Sequence, residues 1–134
     1  TLCYVLELKC DMGLRIRNAY QSRNKEVLNS IAHYEIPELI NRLEKLMEAI
    51  NVQWESENKI FGLDVLDLRI GGLKQRLESA AGRLVKYING EIEKLEELDG
   101  DVLFFDCRDH DENDLSIGPP FWHQIVSANI VCGL

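Results

Sequence analysis

Apolar residues recur through the first hundred positions at spacings of three and four, the pattern of helices that each bury one face. From Leu2 to Tyr20, the residues Val5, Leu8, Met12, Ile16 and Ala19 form one such stripe, and Glu7, Lys9, Asp11, Arg15 and Arg17 fall mostly off it. Ser22 is placed as the N-cap of a short second helix, with Glu26 in its first turn and Val27, Leu28 and Ile31 as its apolar residues. His33 to Ile36 reads as a connection. Pro37 then suits the first turn of a third helix, where its missing N–H has no intrahelical partner to lose. That helix runs to about Asn58, and Ile40, Leu43, Met47, Ile50 and Trp54 give it a 3-4-3-4 seam of the kind used in left-handed bundles.

After a break at Lys59 to Gly62 comes the longest stripe: Leu66, Ile70, Leu73, Leu77, Ala80, Leu84 and Ile88. Asn89-Gly90 can bend it, yet Ile92, Leu95 and Leu98 continue on a compatible face, and Asp99-Gly100 supplies the stop. The pattern then changes. Val102 to Phe105 is a short β-favouring run, Arg108 to Ser116 an acidic loop, and Gly118-Pro119-Pro120 a hard breaker before the aromatic and β-branched end of the chain. The expected fold is all-α: an antiparallel bundle of three to four helices over residues 1–100. A short irregular or β C-terminal tail, 101–134, packs on the bundle or on a neighbouring domain.

Composition narrows the function classes. A chain of 134 residues can bury one core but cannot form a barrel enzyme. A formal net charge of -8 argues against nucleic acid, whose binding needs a basic face. No apolar run approaches the roughly 20 residues needed to span a bilayer, so no membrane partner is expected. Thr1 begins what reads as the middle of a helix, which suggests a piece of a longer protein. Cys3, Cys10, Cys107 and Cys132 lack C-x-x-C spacing. The first two stand about 10 Å apart along a helix, too far for a disulfide. Four reduced thiols in a cytoplasmic protein is the favoured reading, with a Cys107–Cys132 bridge left open.

Motifs that could carry chemistry are few. Asp109, Asp111 and Asn113 start like a calcium loop, but Asp114 stands where the turn glycine belongs and Pro120 where the bidentate glutamate belongs. His110-Asp111-Glu112 lies in a run of acids, which does not give the apolar pocket that a general acid requires. The chain therefore shows no catalytic residue of its own, no metal site and no cofactor motif. Gly71-Gly72 interrupts a helical stripe at about 1 kcal/mol per glycine. Close approach of another backbone is the expected compensation, with a hinge or ligand contact as the alternative. Asp67, Arg69 and Arg76 flank the same stripe. They form either an intrachain strut between the third and fourth helices or a surface for another domain or subunit. Trp54 with Phe61 suits a plug for the bundle end, and Trp122 an anchor for the tail.

Several of these residues carry a resemblance. Leu8-Lys9 with Gly13, Arg17-Asn18-Ala19-Tyr20, Trp54 with Asn58-Lys59 and Phe61-Gly62, and above all Asp67-Leu68-Arg69-Ile70-Gly71-Gly72-Leu73 with Arg76 resemble one domain. It is the C-terminal helical domain of a subgroup of family 20 β-N-acetylhexosaminidases. Arg83-Leu84, Tyr87, Gly90, and Trp122 with Ile125 and Ala128-Asn129 extend the likeness.

The resemblance implies a parent enzyme that removes terminal N-acetylglucosamine or N-acetylgalactosamine by substrate-assisted, retaining hydrolysis, with a Glu and an Asp on a preceding (β/α)8 barrel. It implies a non-catalytic domain that packs on the barrel of its own chain and takes part in a homodimer, with no cofactor. Trp54, Asn58, Lys59, Gly62, Asp67, Arg69, Gly71, Gly72, Arg76 and Trp122 are its structural or interface candidates. The other reading is a stand-alone helical interaction or oligomerisation module.

Overall fold

The computed structural model describes residues 1–59 and 61–100; the expectations for Trp122, the acidic loop and the rest of the tail lie outside the described residues. The chain is all-α. Helix α1 spans Leu2–Gln21, α2 Lys25–Ser30, α3 Ile36–Glu57, α4 Leu63–Ile88 and the one-turn α5 Glu96–Asp99. Arg15 pairs with Glu35 and Arg42 with Glu7, so α1 runs antiparallel to α3. Lys74 pairs with Glu44, and Lys25 donates to the Ile88 carbonyl, so α4 is also antiparallel to the α2–α3 run.

The first turn departs from expectation by two residues. Ser22 does not cap α2: it closes α1, its hydroxyl donating to the Asn18 carbonyl at 2.7 Å. The N-cap is Asn24, whose side chain accepts from the Val27 N–H at 3.1 Å. Arg23 takes the left-handed conformation between them, at φ 55. The Asn24 and Arg23 N–H groups bond back to Ala19 and Tyr20, the Schellman closure of a helix end.

The expected connection at His33 to Ile36 is helical instead. Ile31–Glu35 forms a π turn that carries α2 into α3 without a break, the Ile36 N–H bonding to Ile31 five residues back. Two pressures meet there. Pro37 cannot donate, and its ring collides with the carbonyl four residues earlier in a regular helix. Ile31 and Ile36, both nearly fully buried, are five apart and would stand about 140° apart on a regular helix. The wider π turn brings them to one face, extending a buried stripe through Leu28, Ile31, Ala32, Ile36, Leu39, Leu43 and Leu46. Within α3 the deepest row is therefore 36-39-43-46; the expected seam of Ile40, Met47, Ile50 and Trp54 lies beside it and is only half-buried.

The fourth helix ends sooner than its stripe predicts. Gly90, at φ +77, closes α4 at Ile88, with its own N–H bonded to Tyr87 and that of Glu91 to Lys86. Burial continues across the turn: Leu95 is 1% exposed, and Ile92 and Leu98 pack on the core. The segment after Gly90 crosses to α1, where the Tyr20 hydroxyl donates to Asp99 at 2.8 Å and accepts from the Leu95 N–H at 3.2 Å.

Candidate functional site

The helices differ in reach. Thr1 and Tyr4 share a hollow with Glu38, Arg42 and Lys45, so α1 begins level with the middle of α3. Beyond that level α3 continues for twelve residues, about 18 Å at the helical rise, and returns as the first turns of α4. Among the described residues this two-helix arm has no third helix over it. Every fully buried described side chain belongs to the base; the last on α3 is Leu46, and α4 contributes only Leu84.

At the tip, four of the expected residues come together. Asn58 is the C-cap of α3 in extended conformation, its N–H bonded to the Trp54 carbonyl at 2.8 Å. The Trp54 indole Nε1 donates to the Lys59 carbonyl at 2.8 Å. Gly62 caps α4 at φ +98, a conformation that L side chains rarely adopt, and a Cβ there would lie 3.4 Å from the Trp54 ring. Trp54, Asn58, Lys59 and Gly62 thus make the turn itself: the indole braces the loop and the glycine passes beneath it. Phe61 does not join Trp54 as a plug. It is 84% exposed.

Along α4 the other expectations change. A Cβ added at Gly71 or Gly72 would meet no heavy atom within 4 Å, so no backbone of the described residues approaches them. Asp67, Arg69 and Arg76 are exposed and make no ion pair or side-chain hydrogen bond among the described residues. The expected strut between α3 and α4 is instead Lys74–Glu44, the hydrogen bond and charge of Glu44 raising the lysine's pKa. For Arg69 and Arg76 the reason is angular: Lys74 lies on the side of α4 turned to α3, and Arg69, Gly72 and Arg76 follow another row. Asp67 and Gly71, by contrast, share the side of Lys74 and line a hollow there with Leu43, Glu44 and Met47.

What the sequence reading missed is the apolar character of the outward arm. Val52 is 72% exposed and Leu68 44%, adding to Phe61. Leu68 lies off the main stripe of α4 and Phe61 lies in the turn before the helix begins, so the available signal was a large apolar residue outside the periodic positions. Asn51 adds an anomaly: its Oδ1 is shielded from solvent without a hydrogen-bond partner among the described residues.

The base offers a second concavity of about 730 Å³, between the α1–α2 turn and the segment after α4, lined by Tyr20, Arg23, Lys25, Tyr87, Lys94 and Asp99 among others. Tyr20 and Tyr87 meet edge to face at 5.2 Å, with the Lys25 ammonium 5.5 Å from the Tyr87 ring. The Leu95 N–H favours the Tyr20 phenolate, but the bond to Asp99, desolvation and the charge of Asp99 outweigh it and raise the hydroxyl's pKa. That raises the barrier to using Tyr20 as a base. Among the described residues no group of three His, Cys, Asp or Glu side chains could hold a metal ion. No described helix is long and apolar enough to cross a membrane. Cys3 and Cys10 are free and exposed.

The arm thus combines a braced tip, exposed large apolar side chains and a glycine pair at which a Cβ would meet no heavy atom within 4 Å. No curated protein matches the chain. A family model does, that of the glycoside hydrolase 20C C-terminal domain, over residues 1–117. With nearly the whole chain matched, this protein belongs to the family of glycoside hydrolase 20C C-terminal domains, which implies a catalytic domain in the same chain.

Proposed function

We propose that this domain is the non-catalytic accessory domain of a β-N-acetylhexosaminidase and that its α3–α4 arm is the surface on which the catalytic barrel docks. The parent removes terminal non-reducing N-acetylhexosamine from glycans by substrate-assisted, retaining hydrolysis, with both catalytic carboxylates on the barrel. The observation that carries the docking surface is the exposure of three large apolar side chains along the arm, Val52, Phe61 and Leu68, together with a Gly71-Gly72 pair at which a Cβ would meet no heavy atom within 4 Å. Exposed large apolar groups of this kind mark interaction sites.

Position supports the same reading. Thr1 lies beside Lys45 at the root of the arm, so a chain arriving from a preceding domain enters on the arm's side. Glycines without a Cβ neighbour are where another backbone can come close, and Asp67 and Arg69 are exposed charges on the same stretch of α4, of the kind found at an interface rim. The same face, or its continuation, takes part in a homodimer. Two exposed free thiols accord with a reducing, cytoplasmic setting.

The test compares the isolated domain with the whole enzyme by hydrogen exchange. Amides from 61 to 76 become protected in the whole enzyme, and Phe61→Asp with Leu68→Asp abolishes that protection without unfolding the domain. Protection that appears only elsewhere on the domain removes the arm from the interface. The activity is checked on chromogenic β-N-acetylglucosaminide and β-N-acetylgalactosaminide; failure of the whole enzyme to cleave either ends the hexosaminidase reading. Sedimentation of the whole enzyme and of the double variant reports the dimer.

A further inference from the structure

We propose that the cavity of the base is a binding site for an acidic sugar residue of a glycan, with Arg23 as the group that takes its carboxylate. At about 730 Å³ the cavity falls within the roughly 300–1,000 Å³ of small-molecule sites. Tyr87, Ile92 and Leu98, all half-buried, give it an apolar wall. The site lies apart from the arm and adds to the hexosaminidase reading a function that needs no reaction.

Two helix ends meet at this cavity, closed by the same turn with different residues. α4 ends at Ile88, and Gly90 takes the left-handed position at φ +77, its N–H bonded to the Tyr87 carbonyl. α1 ends at Gln21, and Arg23 takes the equivalent position at φ 55, its N–H bonded to the Tyr20 carbonyl. Glycine is the usual occupant there, because a Cβ is crowded in left-handed backbone. The end of α4 follows that rule, and the end of α1 sets an arginine against it. Nothing in the described fold compensates the strain. The exposed Arg23 guanidinium makes no ion pair or hydrogen bond among the described residues, whereas Lys25 beside it donates to the Ile88 carbonyl at 3.1 Å. A cation does relieve the negative partial charge of a helix C-terminus, but one placed a residue earlier, in ordinary helical backbone, would do so without strain. An uncommon backbone conformation kept at the mouth of a cavity points to a task for its side chain.

The lining selects the ligand class. Arg23, Lys25 and Lys94 stand against Glu93 and Asp99, with the Gln21 amide beside them. Both signs together suit neither a multiply charged anion nor a metal cation. They suit hydroxyl groups, which donate to carboxylates and accept from ammonium and amide N–H groups. Asp99 is already held by the Tyr20 hydroxyl at 2.8 Å, so one acceptor is fixed in place. Three cations against two acids leave one positive charge for a carboxylate, and a guanidinium can bind one through two parallel bonds. A sugar acid meets the whole lining, since it offers an apolar ring face, several hydroxyls and a single carboxylate.

Amide NMR of the 134-residue chain tests this by titration with methyl β-glucuronide, with methyl β-glucoside as the neutral analogue and acetate as the carboxylate alone. The glucuronide shifts the amides of residues 21–25 and 90–94 saturably and binds several-fold more tightly than either control. Arg23→Gly, which puts the favoured residue into the turn and so keeps the fold, removes the preference for the acid. Lys94→Gln reduces it less. Added salt weakens the glucuronide and leaves the glucoside unchanged, as expected of exposed charges. No saturable shift, equal affinity for glucuronide and glucoside, acetate binding as tightly as the glucuronide, or an Arg23→Gly chain that binds the glucuronide unchanged each overturns the proposal. These results are read by binding alone, so they stand or fall separately from the cleavage assays that decide the hexosaminidase reading.

Discussion

The base and the arm of this domain are built from the same two helices and differ in what covers them. In the base, α3 and α4 are joined by α1, by α2 and by the segment after Gly90, and Leu28, Ile31, Ile36, Leu39 and Leu95 fall below 2% exposure. In the arm no other described element covers the same two helices, and no described side chain between Met47 and Gly72 is fully buried. A helix pair can hide one seam but not two faces, so the arm keeps Val52, Phe61 and Leu68 in water. The base supplies the stability of the domain. The arm offers the surface that needs a partner, and its lower burial predicts local opening at a smaller free energy than global unfolding.

The largest expected effect separates the two regions directly. Leu39→Ala, at a fully buried site, destabilises the domain by about 2–5 kcal/mol in denaturant titration. Ile50→Ala, half-buried in the arm, loses well under half of that because its site is already partly solvated. Equal losses at the two positions would merge the arm with the core and erase the distinction.

The glycine pair sharpens it next. In the isolated domain Gly71→Ala and Gly72→Ala each stabilise by roughly 1 kcal/mol, since the added methyl meets open space and helix propensity favours alanine. In the whole enzyme the same changes weaken docking of the catalytic domain, read as greater hydrogen exchange along α4. Stabilisation in both settings would mean that no backbone approaches there.

Asn51→Leu removes an acceptor that is shielded and unpartnered, and stabilises the arm by about 1 kcal/mol; thermal unfolding of the isolated domain reads it. A loss of stability would instead show that Asn51 holds a bond essential to the arm.

The smallest effect belongs to the base. The Arg83 hydrogen bond and charge lower the pKa of Glu97, so this carboxylate ionises more readily in the folded chain than in the unfolded one. Its contribution is present above the ordinary glutamate range and is lost as pH falls through the lowered folded value. Because both side chains are about half exposed, salt screens the effect. Glu97→Gln should flatten the acid limb of the stability curve slightly, and added salt should do the same to the unsubstituted chain.

Much of this was legible along the chain. The stripe through Val5–Ala19 returned as the face α1 turns to the core, that through Leu66–Ile88 as a mostly half-buried face with Leu84 alone fully covered, and the break at Lys59 to Gly62 as the arm's tip. The turn at Ser22 was read two residues early because Ser, Arg and Asn stand in line and local propensity cannot choose which one caps. The π turn was not legible either. Pro37 signals a helix start, and only the demand to keep Ile31 and Ile36 on one buried face makes the chain continue through it. Among the site candidates, Trp54, Asn58, Lys59 and Gly62 act within ten residues of one another and so could be grouped from sequence. The partners of Asp67, Arg69, Arg76 and the glycine pair depend on neighbours far along the chain or beyond the described residues.

The helical class, the long helices, the composition of the tip and the family were all readable from the order of residues, because they rest on periodicity and on local or motif-level chemistry. That α1 stops short of the arm, that Phe61 and Leu68 face water, and that Gly71 and Gly72 are open emerged only from the packed helices. Those properties depend on the relative lengths and offsets of neighbouring rods. A stripe in the sequence records that a face can be buried, and the arrangement of its neighbours records whether anything in the chain buries it.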